Sequence, residues 1–165
     1  MDAHDTVRKL SEYVLLPNGW PELGGEFDLL SASRPELPPG PGVYALLIND
    51  GSSLRYPNGR TPVIYLGCAF GREGLTQRVN QHRLFSRQCR AEQERMESEG
   101  TSGQVFYPRY EWINAAGGVC VYSKAPEGGT SPKNMESLLF EGFRNLHYTL
   151  PVANMQESHR KEEGE

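Results

Sequence analysis

Apolar positions along the chain group into three short continuous runs and two longer stretches of helical period. Residues 42–49, GVYALLIN, and 63–69, VIYLGCA, are dense in aliphatic, aromatic and β-branched side chains, the composition of buried strands. The segment between them carries an Asp-Gly and an Asn-Gly pair, so the two runs are expected to form an extended antiparallel hairpin. A third strand is expected over 117–125, bounded by glycines and Pro126. Helical period begins at Gly74, runs to about Arg90 and continues as a solvated acidic stretch that ends at Gly100. A second helix opens at Ser131, a good N-cap, with Pro132 at its first helical position. Met135, Leu138, Leu139, Phe143 and Leu146 form its apolar side. Residues 3–15 fit a short amphipathic helix through Val7, Leu10 and Val14, and the Pro/Gly-rich segment 17–41 reads as irregular surface structure. The fold class is therefore α+β: a small three-stranded antiparallel sheet flanked by helices. An N-terminal arm (1–41), a main domain (42–155) and a polar tail (156–165) divide the chain.

Composition narrows the class. At 165 residues the chain has the length of one domain with a normal core. Its N-terminus is charged and holds no apolar signal core, and no run of 18 apolar residues occurs, which argues against secretion or a membrane span. Cys68, Cys89 and Cys120 are scattered and odd in number, so reduced thiols in a cytoplasmic protein are expected. The net charge of −4 is carried by the two ends of the chain. Between Arg72 and Arg90 five arginines face Glu73 alone, a basic segment suited to phosphate contacts.

Two helical wheels carry the candidate chemistry. With Leu75 at zero, Val79 falls at about +40°, His82 at about −20° and Arg78 at about −60°, so an Arg and a His share the sheet-facing side. Arg83, Arg87 and Arg90 form a separate stripe, which a solvated face also explains. A buried guanidinium needs an acceptor, and Glu136 offers one from the edge of the second helix's apolar face. An Arg78–Glu136 ion pair is the plain structural reading of the two. Glu141 falls on the opposite, solvent side.

Gly42-Val43-Tyr44, Tyr65-Leu66-Gly67, Arg78-x-x-x-His82, Glu136 and Asn154 occur in the order found in the GIY-YIG nuclease family. The chain resembles that family over about residues 41–155, most closely its compact restriction and homing-type endonucleases. Val43 and Leu66 stand where the family has isoleucines, and the spacing from Glu136 to Asn154 is long, which keeps Glu141 as an alternative. The resemblance implies hydrolysis of DNA phosphodiester bonds with one divalent cation, Mg²⁺, held by Glu136. It further implies Arg78 as phosphate clamp and a tyrosine as general base. We favour Tyr44 with His82 as its relay, Tyr65 as a second hydrogen-bonding group, and Asn154 as an orienting residue or a cap. Gly42 and Gly67 are expected to leave room for the phosphodiester backbone. Arg72, Arg83, Arg87 and Arg90 are the expected contacts to double-stranded DNA. A chain of this size is expected to dimerise or to use a partner protein, reading DNA with 86–112 and the N-terminal arm. Two other readings of the same scaffold are a binding module without catalysis and a biosynthetic hydrolase.

Overall fold

All seven positions of Gly42–Ile48 are buried, the mark of a strand covered on both faces, and the fold is built around it. The computed structural model describes residues 5–100 and 110–155. The polar tail, the start of the N-terminal helix and the 101–109 part of the expected DNA-reading segment lie outside the described residues. In chain order the elements are α1 (Asp5–Leu10), extended by a π-helical turn (Ser11–Leu15) and a 3-10 turn (Leu16–Asn18), then β1 (Gly24–Asp28) and β2 (Gly42–Ile48). A small pair, β3 (Leu54–Arg55) and β4 (Arg60–Thr61), precedes β5 (Val63–Ala69) and α2 (Gly74–Glu99). Last come α3 (Glu111–Ala116), β6 (Gly118–Lys124) and α4 (Pro132–His147).

The main sheet has four antiparallel strands in the order β1-β6-β2-β5, one more than the three expected. The extra strand, β1, lies in the segment read as irregular. Its five residues include two glycines, and all its positions are exposed or half-buried, so no alternation marks it. Pairing with β6 defines it. Gly25 sits within the register irregularity there at φ +67°, and a Cβ on it would lie 2.6 Å from the Tyr122 ring. The short helix α3 was likewise absent from the periodic pattern. The hairpin β2–β5, strand β6 and both long helices follow the expected course.

Helices cover both faces. Val43, Ala45, Leu47, Leu66 and Val121 pack with Leu10, Leu139 and Phe143 of α1 and α4. Tyr44, Leu46, Tyr65 and Cys120 pack with Leu75, Val79 and Ile113 of α2 and α3. A bulge between Leu46 and Leu47 lets Val63 join the first core while Tyr65, two residues on, joins the second. Ser131 caps α4 by accepting the Asn134 N–H at 3.2 Å, with Pro132 in the first turn. The three cysteines are free thiols, two of them buried. Among the described residues no helix is long and apolar enough to cross a membrane.

His147 ties three parts together. Its Nδ1–H donates to the Asn58 carbonyl at 2.7 Å, and its Nε2 accepts from Thr6 Oγ1 at 2.9 Å. Burial holds its pKa below the ordinary 6.5. The neutral form is the one that folds, so its stabilisation is complete above 6.5 and is lost as pH falls through the depressed folded value. Urea midpoints measured across acidic pH are expected to drop for the wild type and to drop less for His147→Gln. Equal slopes would remove His147 as the cause.

Candidate active site

Tyr44 on β2 stands directly opposite Gly67 on β5, and this pairing explains why the two strands carry Tyr and Gly together. A Cβ on Gly67 would lie 2.5 Å from both Cζ and Oη of Tyr44 and 2.9 Å from the Tyr65 ring. A Cβ on Gly42 would run into the Ser123 carbonyl and lie 2.7 Å from Leu75. The expected space for a phosphodiester is therefore filled by the protein itself: both glycines admit its own groups, at Gly67 the catalytic-candidate rings. Tyr44 is fully buried and has nowhere to retreat. Gly67→Ala is expected to cost about 1–3 kcal/mol by overpacking and to displace Tyr44. Thermal denaturation would check the cost, and an unchanged melting temperature would contradict the clash.

The α2 wheel comes true in three dimensions. His82 is 1% exposed, and its Nε2 lies 2.7 Å from Tyr44 Oη. The rings of Tyr44 and Tyr65 are 6.1 Å apart, and both meet His82 edge-on at 5.3 and 5.4 Å. One turn earlier, Arg78 Nε donates to Tyr44 Oη at 3.3 Å and Nη1 donates to Gln81 Oε1 at 2.9 Å. Burial works against the Arg78 charge, but the hydroxyls of Tyr44 and Tyr65 outweigh it and raise its pKa further. Burial, helped by Tyr65, holds the Tyr44 phenol well above its usual range, with Arg78 pulling the other way. Tyr44 is thus stored as a neutral hydroxyl beside a fixed cation.

Glu136 approaches from the other face of the sheet. It is 9% exposed, whereas Glu141 is exposed, as the α4 wheel required. The plain Arg78–Glu136 ion pair does not form; Lys133 Nζ takes Glu136 Oε1 at 2.9 Å instead. Between the two half-sites lies Cys68, on β5, the strand at the sheet's edge. Burial, then the charge and hydrogen bonding of Glu136, push its thiol up to about 12, while Lys133 and Arg78 pull it down. Cys68 therefore senses the carboxylate from one side and the guanidinium from the other. An open cleft lined by Cys68, Phe70, Gly74, Gln77, Arg78 and Gln81 reaches this edge.

Asn154 closes the same edge. Its Oδ1 accepts the Leu66 N–H and its Nδ2 donates to the Leu66 carbonyl, both at 2.9 Å. The side chain acts as one residue of a missing neighbour strand, pinning β5 between Tyr65 and Gly67. Both of these bonds hold backbone.

The arginine stripe divides. Arg83 is buried and donates to the Ser31 carbonyl at 3.0 Å and to Asn80 Oδ1. Arg90 holds Asn114 of α3 through its Oδ1 at 3.0 Å and its carbonyl at 2.6 Å. These two serve as internal struts, a correction to the single solvated stripe: the arm and α3 fold over that side of α2. Arg72 and Arg87 are exposed, Arg87 also reaching the Ser31 carbonyl at 3.1 Å.

Three contributors were not singled out in advance. Lys133 carried a readable signal, an i,i+3 spacing to Glu136 on one helix. Gln81 and Tyr110 carried none. Tyr110, at the start of α3, places its hydroxyl 2.7 Å from His82 Nδ1.

The described residues hold no group of three or more His, Cys, Asp or Glu arranged for a metal. A hard cation that keeps most of its waters needs few protein oxygens, and the single buried carboxylate of Glu136 at an open edge fits that demand. The Lys133 ammonium already sits on that carboxylate, so it would compete with a cation. The lysine end of this pair is solvent-exposed, and an ion pair screened in that way is worth about 0–1 kcal/mol, so Lys133→Ala is expected to tighten Mn²⁺ binding by up to about fivefold. Electron paramagnetic resonance titration would measure it, and weaker binding in the variant would contradict the competition.

No family model matches this chain, and no curated protein or solved structure matches it.

Proposed function

We propose that the chain is a metal-dependent endonuclease of the GIY-YIG type that hydrolyses DNA phosphodiester bonds. What supports this most is one constellation: a buried Tyr44 hydroxyl shared between His82 Nε2 and Arg78 Nε, with Tyr65 alongside. A core that needed only packing would have no use for a cation and an imidazole on one phenol.

The roles follow from the chemistry. Tyr44 gives its proton to His82 Nε2 and, as phenolate, takes one from the attacking water, which substrate binding must admit beside a ring that is closed to solvent in this structure. The phenolate is the charged form that burial opposes, so the adjacent Arg78 is what makes it accessible. The same guanidinium neutralises charge on a non-bridging phosphate oxygen as the transition state forms. Tyr65 supplies a further hydroxyl, and Asn154 holds the β5 backbone that carries it. Glu136 would hold Mg²⁺, which when bound supplies Lewis-acid stabilisation of the phosphate and the departing oxygen. Of the four arginines expected at the duplex, Arg72 and Arg87 are exposed, and a second copy or a partner would extend that contact.

The test is conversion of supercoiled plasmid to nicked or linear form with Mg²⁺ and with EDTA, on modified and unmodified DNA. Metal-dependent cleavage is expected; no cleavage of any DNA would overturn the reading. The internal engagement of Arg83 and Arg90 favours a second reading, a hydrolase of smaller phosphodiesters, because duplex affinity rests on many phosphate contacts. Turnover of a small aryl phosphodiester without plasmid cleavage would select it.

A further inference from the structure

His82 has both ring nitrogens committed inside the protein, and a neutral imidazole carries only one N–H. The two bonds are therefore linked: if one nitrogen donates, the other accepts. Tyr44 decides the direction. Its hydroxyl is fully buried, and among the described residues its oxygen meets Arg78 Nε at 3.3 Å and His82 Nε2 at 2.7 Å. Arg78 only donates. Among the described residues the acceptor within reach of the Tyr44 proton is His82 Nε2. That nitrogen must be bare, the ring proton must sit on Nδ1, and Nδ1–H must donate to Tyr110 Oη at 2.7 Å.

We infer that Tyr110 is a positioning residue that fixes the Nδ1–H tautomer of His82 and so keeps Nε2 open to receive the Tyr44 proton. Tyr110 is suited to this. It is buried, and its ring is held against Phe85 at 6.0 Å and His82 at 5.9 Å, so its hydroxyl is fixed relative to the imidazole. When Tyr44 O–H passes its proton to Nε2, the O–H bond breaks, an Nε2–H bond forms, and phenolate and imidazolium result. Arg78 faces the new negative charge, and Tyr110 Oη accepts from the imidazolium Nδ1–H. The logic is that of a nucleophile, a base and a third group that orients the base. Among the described residues, Tyr65 from β5 and Cys120 from β6 are further titratable groups that act on Tyr44. The effect on rate rests on the nuclease reading; the tautomer does not.

The experiment uses ¹⁵N-histidine-labelled full-length protein, with long-range ¹H–¹⁵N spectra of the imidazoles and plasmid cleavage measured on the same samples. In the wild type, His82 is expected as the Nδ1–H tautomer, with Nε2 shifted as an unprotonated acceptor. In Tyr110→Phe the ring stays and the acceptor goes, so His82 is expected to become a mixture of both tautomers and cleavage to fall at least about tenfold. Tyr110→Phe in a Tyr44→Phe background is expected to cost no further rate. An Nε2–H tautomer in the wild type would overturn the inference without any variant, as would an unchanged tautomer and rate in Tyr110→Phe. A wild type with the Nδ1–H tautomer, shifted by Tyr110→Phe but with no cleavage of any substrate, would uphold the inference and sink the nuclease reading.

Discussion

Glu136→Gln is expected to abolish cleavage while DNA binding is kept or strengthened. The change removes one negative charge with almost no change in shape. Lewis-acid help from a bound cation is worth several kcal/mol, so the loss in rate should reach at least about 1,000-fold. Binding moves the other way for a structural reason. Glu136 holds the Lys133 ammonium at 2.9 Å, and an amide in its place releases that cation toward phosphate. Glu141→Gln is the internal control: that side chain faces solvent beside Lys9 and Tyr13, away from Tyr44 and Tyr65. Supercoiled-plasmid kinetics and a fluorescence anisotropy titration on the same duplex would measure the two effects. Loss of activity with Glu141→Gln and not with Glu136→Gln would assign the carboxylate to the wrong face of α4.

Tyr44→Phe should separate chemistry from packing. Phenylalanine keeps the ring in the slot that Gly67 leaves for it. Only the hydroxyl shared by His82 and Arg78 is lost. Leaving those two groups without their common partner is expected to cost about 1–3 kcal/mol of stability. Removing a general base costs about 100- to 10,000-fold in rate. A purely structural tyrosine would show the first effect and have no rate to lose. His82→Ala should match Tyr44→Phe in rate, and the double variant should add little, since the two act on one proton. Urea unfolding beside single-turnover cleavage gives both numbers. Full cleavage by Tyr44→Phe and by Tyr65→Phe would take the tyrosines out of the mechanism.

Much of the fold was legible because its signals are local. β2 and β5 are continuous apolar runs, and the pairs Asp50-Gly51 and Asn58-Gly59 turn the chain between them. Ser131 and Pro132 open α4, and Gly100 closes α2. The helical period was sharp enough to put Arg78 and His82 on the sheet side of α2. It also separated Glu136 from Glu141 on α4. β1 escaped because five residues with two glycines carry neither period nor propensity, and their strand exists only as a partner of β6. Arg83 and Arg90 escaped for a related reason: a wheel shows one helix, and the segments that fold over it at Ser31 and Asn114 come from elsewhere in the chain.

What the chain determined by itself, then, is the set of elements and the face on which each reactive side chain stands, because burial period and capping act over a few residues. Which groups meet was decided only by tertiary structure. The sheet's antiparallel register set Tyr44 against Gly67, and the approach of α3 brought Tyr110 to His82. A plausible Arg78–Glu136 pair gave way to separate contacts, Arg78 with the tyrosines and Glu136 with Lys133. Those outcomes turn on distances of a few ångströms between elements far apart in sequence, and hydrogen bonds and ion pairs weaken steeply over that range.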